Sequence, residues 1–147
     1  MFKHILVPTD GSELSCEAIT KAVVFARETS ARITFFNARP AHKGYLFGEG
    51  ALDNRMTQDE FAEAMRLQSQ EILERAVVVA TAAGVESATA SQATESPYRA
   101  IIEAATKAGC DGVFMASHGR SGVSGLLLGS ETMKVLTHCK IPVLVYR

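Results

Sequence analysis

Short apolar runs alternate along this chain with segments in which apolar residues recur at every third or fourth position. This alternation predicts strands separated by helices. Short apolar runs predict strands over His4–Pro8, 32–38, Ser87–Thr94, 112–117 and 141–146, of which Ser87–Thr94 is the least apolar and is predicted at an edge. Apolar residues at every third or fourth position predict helices after Ser12, over 57–83, over 97–108 and over 130–138. We therefore predict one α/β domain over 1–147, an open, doubly wound five-stranded parallel sheet with helices on both faces.

Residues that begin and end helices support these boundaries. Ser12 and Ser96 stand at N-cap positions, Pro97 takes the first position of a helix, and Gly84 ends the long one. The inward face of the first helix is predicted to comprise Ala18, Ile19, Ala22, Val23 and Ala26. The inward face of the long helix is predicted to comprise Phe61, Met65, Ile72, Ala76 and Val79.

A glycine-rich loop follows the fourth predicted strand. The sequence reads Ala116-Ser-His-Gly119 and then, after nine residues, Gly129-Ser130, where the last helix is predicted to begin. Small residues at 119, 122, 125 and 129 allow a ligand to approach the main chain closely. Free amides and the helix dipole meet at such a junction, so we interpret the loop as a cradle for a nucleoside triphosphate. The GxxxxGK[ST] motif is absent, and no GxGxxG follows the first strand, which argues against a P-loop enzyme and a standard dinucleotide-binding domain.

Composition narrows the class of protein. The chain has 147 residues, 47% of them hydrophobic and 21% charged, as is typical of a globular domain, and its net charge is −1 with the signs interspersed. This charge pattern argues against a nucleic-acid-binding face. The sequence shows no signal-peptide pattern and no run of 18 apolar residues, so we expect no membrane association. The three scattered cysteines predict free thiols in a reducing cytoplasm.

Three segments together resemble the universal stress protein family across essentially the whole chain. They are Ile5-Leu-Val-Pro-Thr-Asp-Gly-Ser12, the glycine loop, and Ile141-Pro-Val-Leu-Val-Tyr146. Nucleotide-binding members carry G-x2-G-x9-G-[ST], and this chain matches three of the four positions, with Ala116 in place of the first glycine. The resemblance implies a Rossmann-like, adenine-nucleotide α-hydrolase-like fold and binding of ATP with Mg²⁺. A strand tail has negative φ, so we expect Ala116 to weaken nucleotide binding at most.

Further contacts to the nucleotide follow from position at this edge of the sheet, and for Asp10 the resemblance also implies nucleotide binding. Asp10 binds the ribose hydroxyls or the adenine amino group, with helix and turn capping as the alternative role. Ala38 and Met115 form the apolar slot for the base. Gly119, Gly129 and Ser130 hold phosphates through main-chain amides, with Arg120 and Lys134 neutralising charge. The remaining candidates at this edge are Pro8, Thr9, Ala116, His118, Glu131 and Thr132.

The sequence contains no convincing catalytic arrangement. Ser121 and Ser124 lack a GxSxG context, and no carboxylate is tied by sequence to His118, which is either a phosphate donor or a structural residue. We expect an ATP-binding stress or regulatory protein that has at most weak ATPase activity. Two alternatives stay open: a family member that acts by protein interaction alone, and a slow ATP hydrolase.

Two further features of the chain concern the predicted sheet: its terminal strand and the irregular segment that follows its second strand. The terminal strand, which begins at Pro142 and ends at Tyr146, is short and apolar, and an apolar edge calls for a partner. A two-fold partner would cover this edge, and the resemblance also implies a homodimer through this strand. The irregular segment 39–56 leaves the second strand on the side of the glycine loop, where it either folds over a ligand or is a plain insertion.

Overall fold

The computed structural model of this protein describes residues 1–42, 56–120 and 128–147. The predicted irregular segment lies largely, and loop residues 121–127 wholly, outside the described residues. The described elements are β1 (His4–Pro8), α1 (Glu13–Thr29), β2 (Arg32–Pro40), α2 (Gln58–Ala82), β3 (Ser87–Thr94), α3 (Pro97–Ala108), β4 (Gly112–Ala116), α4 (Ser130–His138) and β5 (Val143–Tyr146). None of the described helices combines the length and apolarity that a membrane crossing needs.

The five strands form one parallel sheet in the order β3-β2-β1-β4-β5. The chain builds outward from β1 through β2 to β3 and then crosses back to place β4 on the other side of β1. This reversal is a topological switch point, and it opens a crevice at the carboxyl ends of β1 and β4. The predicted fold class and the edge position of β3 are confirmed.

The two faces of the sheet bury separate cores because successive side chains of a strand point to opposite sides. Ile5 and Val7 of β1 pack under α1 and α2, whereas Leu6 between them packs under α3 and α4. All five residues predicted for the inward face of α1 are buried. The helices therefore cover both faces, as the alternation of strands and helices predicted.

The inward face of α2 differs in part from the prediction. Its buried residues are Phe61, Ser69, Ile72, Leu73, Ala76 and Ala80. Val79 is half-buried because it lies at the margin of the stripe set by Leu73, Ala76 and Ala80. Met65 is half-buried in the first turns of the helix, where Phe61 is the only buried side chain.

Three strand ends also differ from the prediction. β2 continues to Pro40 because β3 pairs with it as far as Pro40↔Thr94. β4 ends at Ala116, one residue early, although the amide of Ser117 still donates to the Tyr146 carbonyl at 2.7 Å. β5 begins at Val143, after Pro142, whose nitrogen carries no hydrogen to donate to a neighbouring strand.

Two helix ends offer a matched test of backbone strain. α1 ends at Ser30 with φ 56°, and α3 ends at Gly109 with φ 69°, both in the left-handed region. Because a β-carbon is unfavourable there, Ser30→Gly should raise the free energy of unfolding by about 0.5–1 kcal/mol. Gly109→Ala should lower it by about 1 kcal/mol from φ alone, since nothing lies within 4 Å of the added carbon. Urea unfolding measures both changes, and equal signs would contradict this account.

His4 makes stability depend on pH. Its ring is 8% exposed, and its Nε2 lies 2.8 Å from the Thr34 hydroxyl. Burial, followed by the charge of Arg32, lowers the pKa of His4 from 6.5. The unfolded chain therefore binds the proton first as pH falls. The stability that depends on neutral His4 is complete above pH 6.5 and is lost as pH falls through the lower folded pKa.

We therefore expect His4→Gln to lose less stability than the parent chain between about pH 7 and pH 5. Urea unfolding across this range measures the difference. His138→Gln is the control, because His138 is exposed. An identical pH dependence in the parent and His4→Gln would show that His4 does not set it.

Candidate functional site

A cavity of about 370 Å³ opens at the carboxyl ends of β1 and β4. The lining residues are Pro8, Thr9, Asp10, Ser15, Phe36, Ala38, Pro97, Ile101, Met115, Ala116, His118, Gly119, Arg120, Gly129, Ser130, Glu131 and Thr132. Thirteen of the fourteen residues predicted from the sequence for the site lie among them, and Lys134 does not. The tertiary structure therefore brings these thirteen to one place at the switch point, while their roles toward a ligand stay predictions.

The carboxylate of Asp10 ties the loop after β1 to the loop after β4. One oxygen accepts the Ser12 amide at 3.0 Å, which forms a local turn before α1, and the other accepts the Arg120 amide at 2.8 Å. A β-carbon on Gly119 would overlap the second oxygen, so the contact requires glycine at this position. The capping role weighed for Asp10 is thus present, and each oxygen keeps a further lone pair for a ligand.

Gly129 serves a different purpose from the one predicted. Its amide donates to the Ser117 carbonyl at 2.7 Å and is already used within the protein. An added β-carbon would lie 3.1 Å from the Cα of His118 and 3.3 Å from the Ser117 carbonyl oxygen. Among the described residues, the amides of Gly119 and Ser130 have no hydrogen-bond partner. Of the three amides predicted to hold phosphate, these two are therefore available to an anion, and Ser130 opens α4.

The strand tail at Ala116 accepts alanine without strain. Among the described residues, Ser30 is the only one other than glycine with positive φ, so the backbone at Ala116 is outside the left-handed region, as predicted. The Ala116 carbonyl accepts the buried Thr132 hydroxyl at 3.1 Å. This bond ties the end of β4 to the first turn of α4.

One wall of the cavity is apolar. Met115 and Ala38 lie on it as predicted, together with Phe36 and Ile101. Sequence reasoning missed these last two. Phe36 lies two residues before Ala38 on the same face of β2, and Ile101 lies one turn after Pro97 in α3, so strand and helix periodicity held the signal.

The polar floor is held together by buried hydrogen bonds. The Thr9 and Ser15 hydroxyls are 2.5 Å apart, and the Asn37 side-chain amide donates to the Thr9 carbonyl at 2.8 Å. Thr9 was predicted, but Ser15 was missed because it lies in the first turn of α1 and not in the loop before it. These bonds fix the main chain from which Asp10 projects.

The start of α3 is capped from another helix. Ser96 occupies the N-cap position, but its side chain makes no capping hydrogen bond, contrary to the prediction. The carboxylate of Glu131 in α4 accepts the Tyr98 amide at 2.9 Å instead. Its other oxygen accepts a hydrogen bond from Lys134 at 2.8 Å. Lys134, predicted to neutralise phosphate charge, pairs with this carboxylate and does not line the cavity.

His118 lines the cavity without a carboxylate partner among the described residues. Its Nδ1 lies 3.1 Å from the Ser117 hydroxyl, and Asp10 is engaged by main-chain amides. The described residues contain no group of three side chains placed to hold a metal ion. Ser121 and Ser124 lie outside the described residues. The described geometry is that of a binding cavity with main-chain donors at one end and an apolar slot beside it.

The chain is similar in sequence and in structure to known proteins. The model of the universal stress protein family matches residues 1–147. The universal stress protein YxiE of Bacillus subtilis is 31% identical over 150 aligned residues, which cover all of both chains. The structure of the hypothetical protein MJ0577 has a TM-score of 0.82 at 23% identity, over 99% of this chain and 95% of that one. A universal stress protein solved in complex with cAMP has a TM-score of 0.68 at 27% identity, over 99% of this chain and 97% of that one.

Proposed function

We propose that this chain, which belongs to the universal stress protein family, binds an adenine nucleotide in the cavity at its switch point. The observation that carries the proposal is the contact of Asp10 with the glycine loop. The contact holds two loops together and leaves the amides of Gly119 and Ser130 available at the positive end of α4. The relative solved with cAMP supports an adenine nucleotide as the ligand class.

The two ends of the cavity suit the two ends of such a ligand. Met115, Ala38 and Phe36 offer an apolar slot to the base. The loop amides and the Ser130 hydroxyl offer donors to phosphate oxygens. Asp10 also lines the cavity, and its carboxylate accepts hydrogen bonds, which suits ribose hydroxyls.

Within this class we propose ATP, with Mg²⁺, as the ligand. The available amides of Gly119 and Ser130 support a phosphate cradle, and the backbone at Ala116 accommodates its side chain. Mg²⁺ in nucleotide sites is usually held by phosphate oxygens with one or two carboxylates, and it screens the phosphate charge. In the described lining, the carboxylates of Asp10 and Glu131 already accept main-chain amides, so we assign the Mg²⁺ to the phosphate oxygens and water and give it no protein ligand.

The biological role that we propose is regulatory. Bound nucleotide would contact both the loop after β1 and the loop after β4, so its binding would change the surface that these loops present to partners. Free thiols at Cys16, Cys110 and Cys139 support a reducing, cytoplasmic setting. Burial raises the pKa of the Cys110 thiol to about 11, which makes it unreactive.

Nucleotide binding can be measured directly. Protein that is freshly purified and then denatured should release an adenine nucleotide, identified by chromatography. Protein from which the nucleotide has been removed should bind Mg-ATP with micromolar affinity in calorimetry. This affinity corresponds to a binding free energy on the order of 8 kcal/mol. Gly119→Ala should weaken binding, because its β-carbon would push the Asp10 carboxylate out of its present position.

Gly109→Ala is the control, because it also replaces a loop glycine but lies away from the cavity. It should retain binding. If neither released nucleotide nor heat is found in the parent chain at millimolar ATP, the nucleotide proposal is wrong, and action through protein contacts alone is favoured.

We further propose a homodimer through the C-terminal strand. β5 pairs with β4 on one side, stands at the end of the sheet, and has four half-buried residues. Leu144→Asp or Val143→Lys should therefore give monomers or aggregates in light scattering, because a charge would be placed in the shared edge. Ser91→Asp on β3, at the opposite edge, should leave the dimer intact. A dimer that persists in both β5 variants would refute this interface.

A further inference from the structure

One carboxylate serves the start of two helices beside the cavity. Glu131 lies in the first turn of α4, where a negative charge is favourable to the helix dipole. The same carboxylate accepts the Tyr98 amide in the first turn of α3. Both helices begin at the cavity, since Pro97 and Ser130 line it. Glu131 therefore already occupies an anion position at α3 that a phosphate group would otherwise be free to use.

The charged side chains that line the described part of the cavity are two carboxylates and one guanidinium. Asp10 and Glu131 supply the negative charges and Arg120 the positive charge. The Arg120 guanidinium lies close to Gly11, where an added β-carbon would be 3.1 Å from it. Arg120 thus lies by the loop after β1, and the first turn of α4 presents a carboxylate.

The partner of Glu131 does not remove this charge from the wall. Lys134, which pairs with the carboxylate, does not line the cavity, and its ammonium lies 5.6 Å from the centre of the Tyr98 ring. The side chain of Glu131 is 34% exposed, and that of Lys134 is 48% exposed. An ion pair this exposed is weak, so Lys134 offsets the charge of the Glu131 carboxylate only in part.

We infer that Glu131 determines the charge selectivity of the cavity: its carboxylate disfavours an uncomplexed polyphosphate relative to a nucleotide whose phosphate charge is low or screened by a divalent cation. The inference rests on the proposed nucleotide binding. A triphosphate brings several negative charges toward the start of α4, whereas a cyclic monophosphate brings one. The repulsion between the Glu131 carboxylate and the phosphates grows with the charge on the phosphates.

Calorimetry on the full-length chain tests this inference with Glu131→Gln. The glutamine carbonyl can still accept the Tyr98 amide, so α3 keeps its cap while the charge is removed. Affinities are compared for ATP with EDTA, ATP with Mg²⁺, and cAMP, all at one ionic strength. We expect Glu131→Gln to bind ATP in EDTA about tenfold more tightly than the parent. With Mg-ATP or cAMP the change should be about twofold or less.

Glu63→Gln is the matched control. Glu63 pairs with Arg66 at the same three-residue spacing on a helix, but on α2, and it does not line the cavity. It should change none of the three affinities. A thermal melt of each variant checks that the fold is retained.

The failures are distinguishable. If Glu131→Gln changes all three affinities by the same factor, or changes none, nucleotide binding stands and the charge-selectivity inference is overturned. If neither the parent nor Glu131→Gln binds any of the three ligands, the proposed nucleotide function is itself wrong, and this inference fails with it.

Discussion

The contact between Asp10 and the glycine loop is the constraint on which the site depends. A carboxylate that accepts amides from Ser12 and Arg120 holds together two loops separated by 110 positions in the sequence. The contact is possible because Gly119 has no β-carbon. Glycine is required at position 119 because the Asp10 carboxylate leaves no room for a β-carbon, and not because φ is strained there.

The switch point supplies the place for this contact. β1 pairs with β2 on one side and with β4 on the other. The chain therefore leaves β1 and β4 in opposite directions, and a crevice opens between their carboxyl ends. Buried bonds from Asn37 and Thr132 then fix the ends of β1 and β4. The cavity is thus a consequence of topology, and its chemistry comes from the few residues that follow each strand.

Much of the fold could be predicted because its signals are local. Strand and helix periodicity placed the elements with errors of one or two residues, and the buried face of α1 followed from helical spacing. Contacts between residues that are far apart in the sequence could not be predicted from these local signals. Ser96 has the residue type and position of an N-cap, yet Glu131 from α4 takes that role, and no local pattern indicates an interaction across 33 positions.

The sequence by itself determined the order of elements, the sheet class, the loops that line the cavity, and the tolerance for Ala116 at a strand end. It also identified thirteen of the residues that line the cavity, because loops after neighbouring parallel strands must meet at one edge. Only the tertiary structure decided which amides stay available, since the Gly129 amide is used by Ser117. It also decided that Glu131 rather than Lys134 faces the cavity. Hydrogen-bond partners are chosen by three-dimensional proximity, which residue type and spacing do not encode.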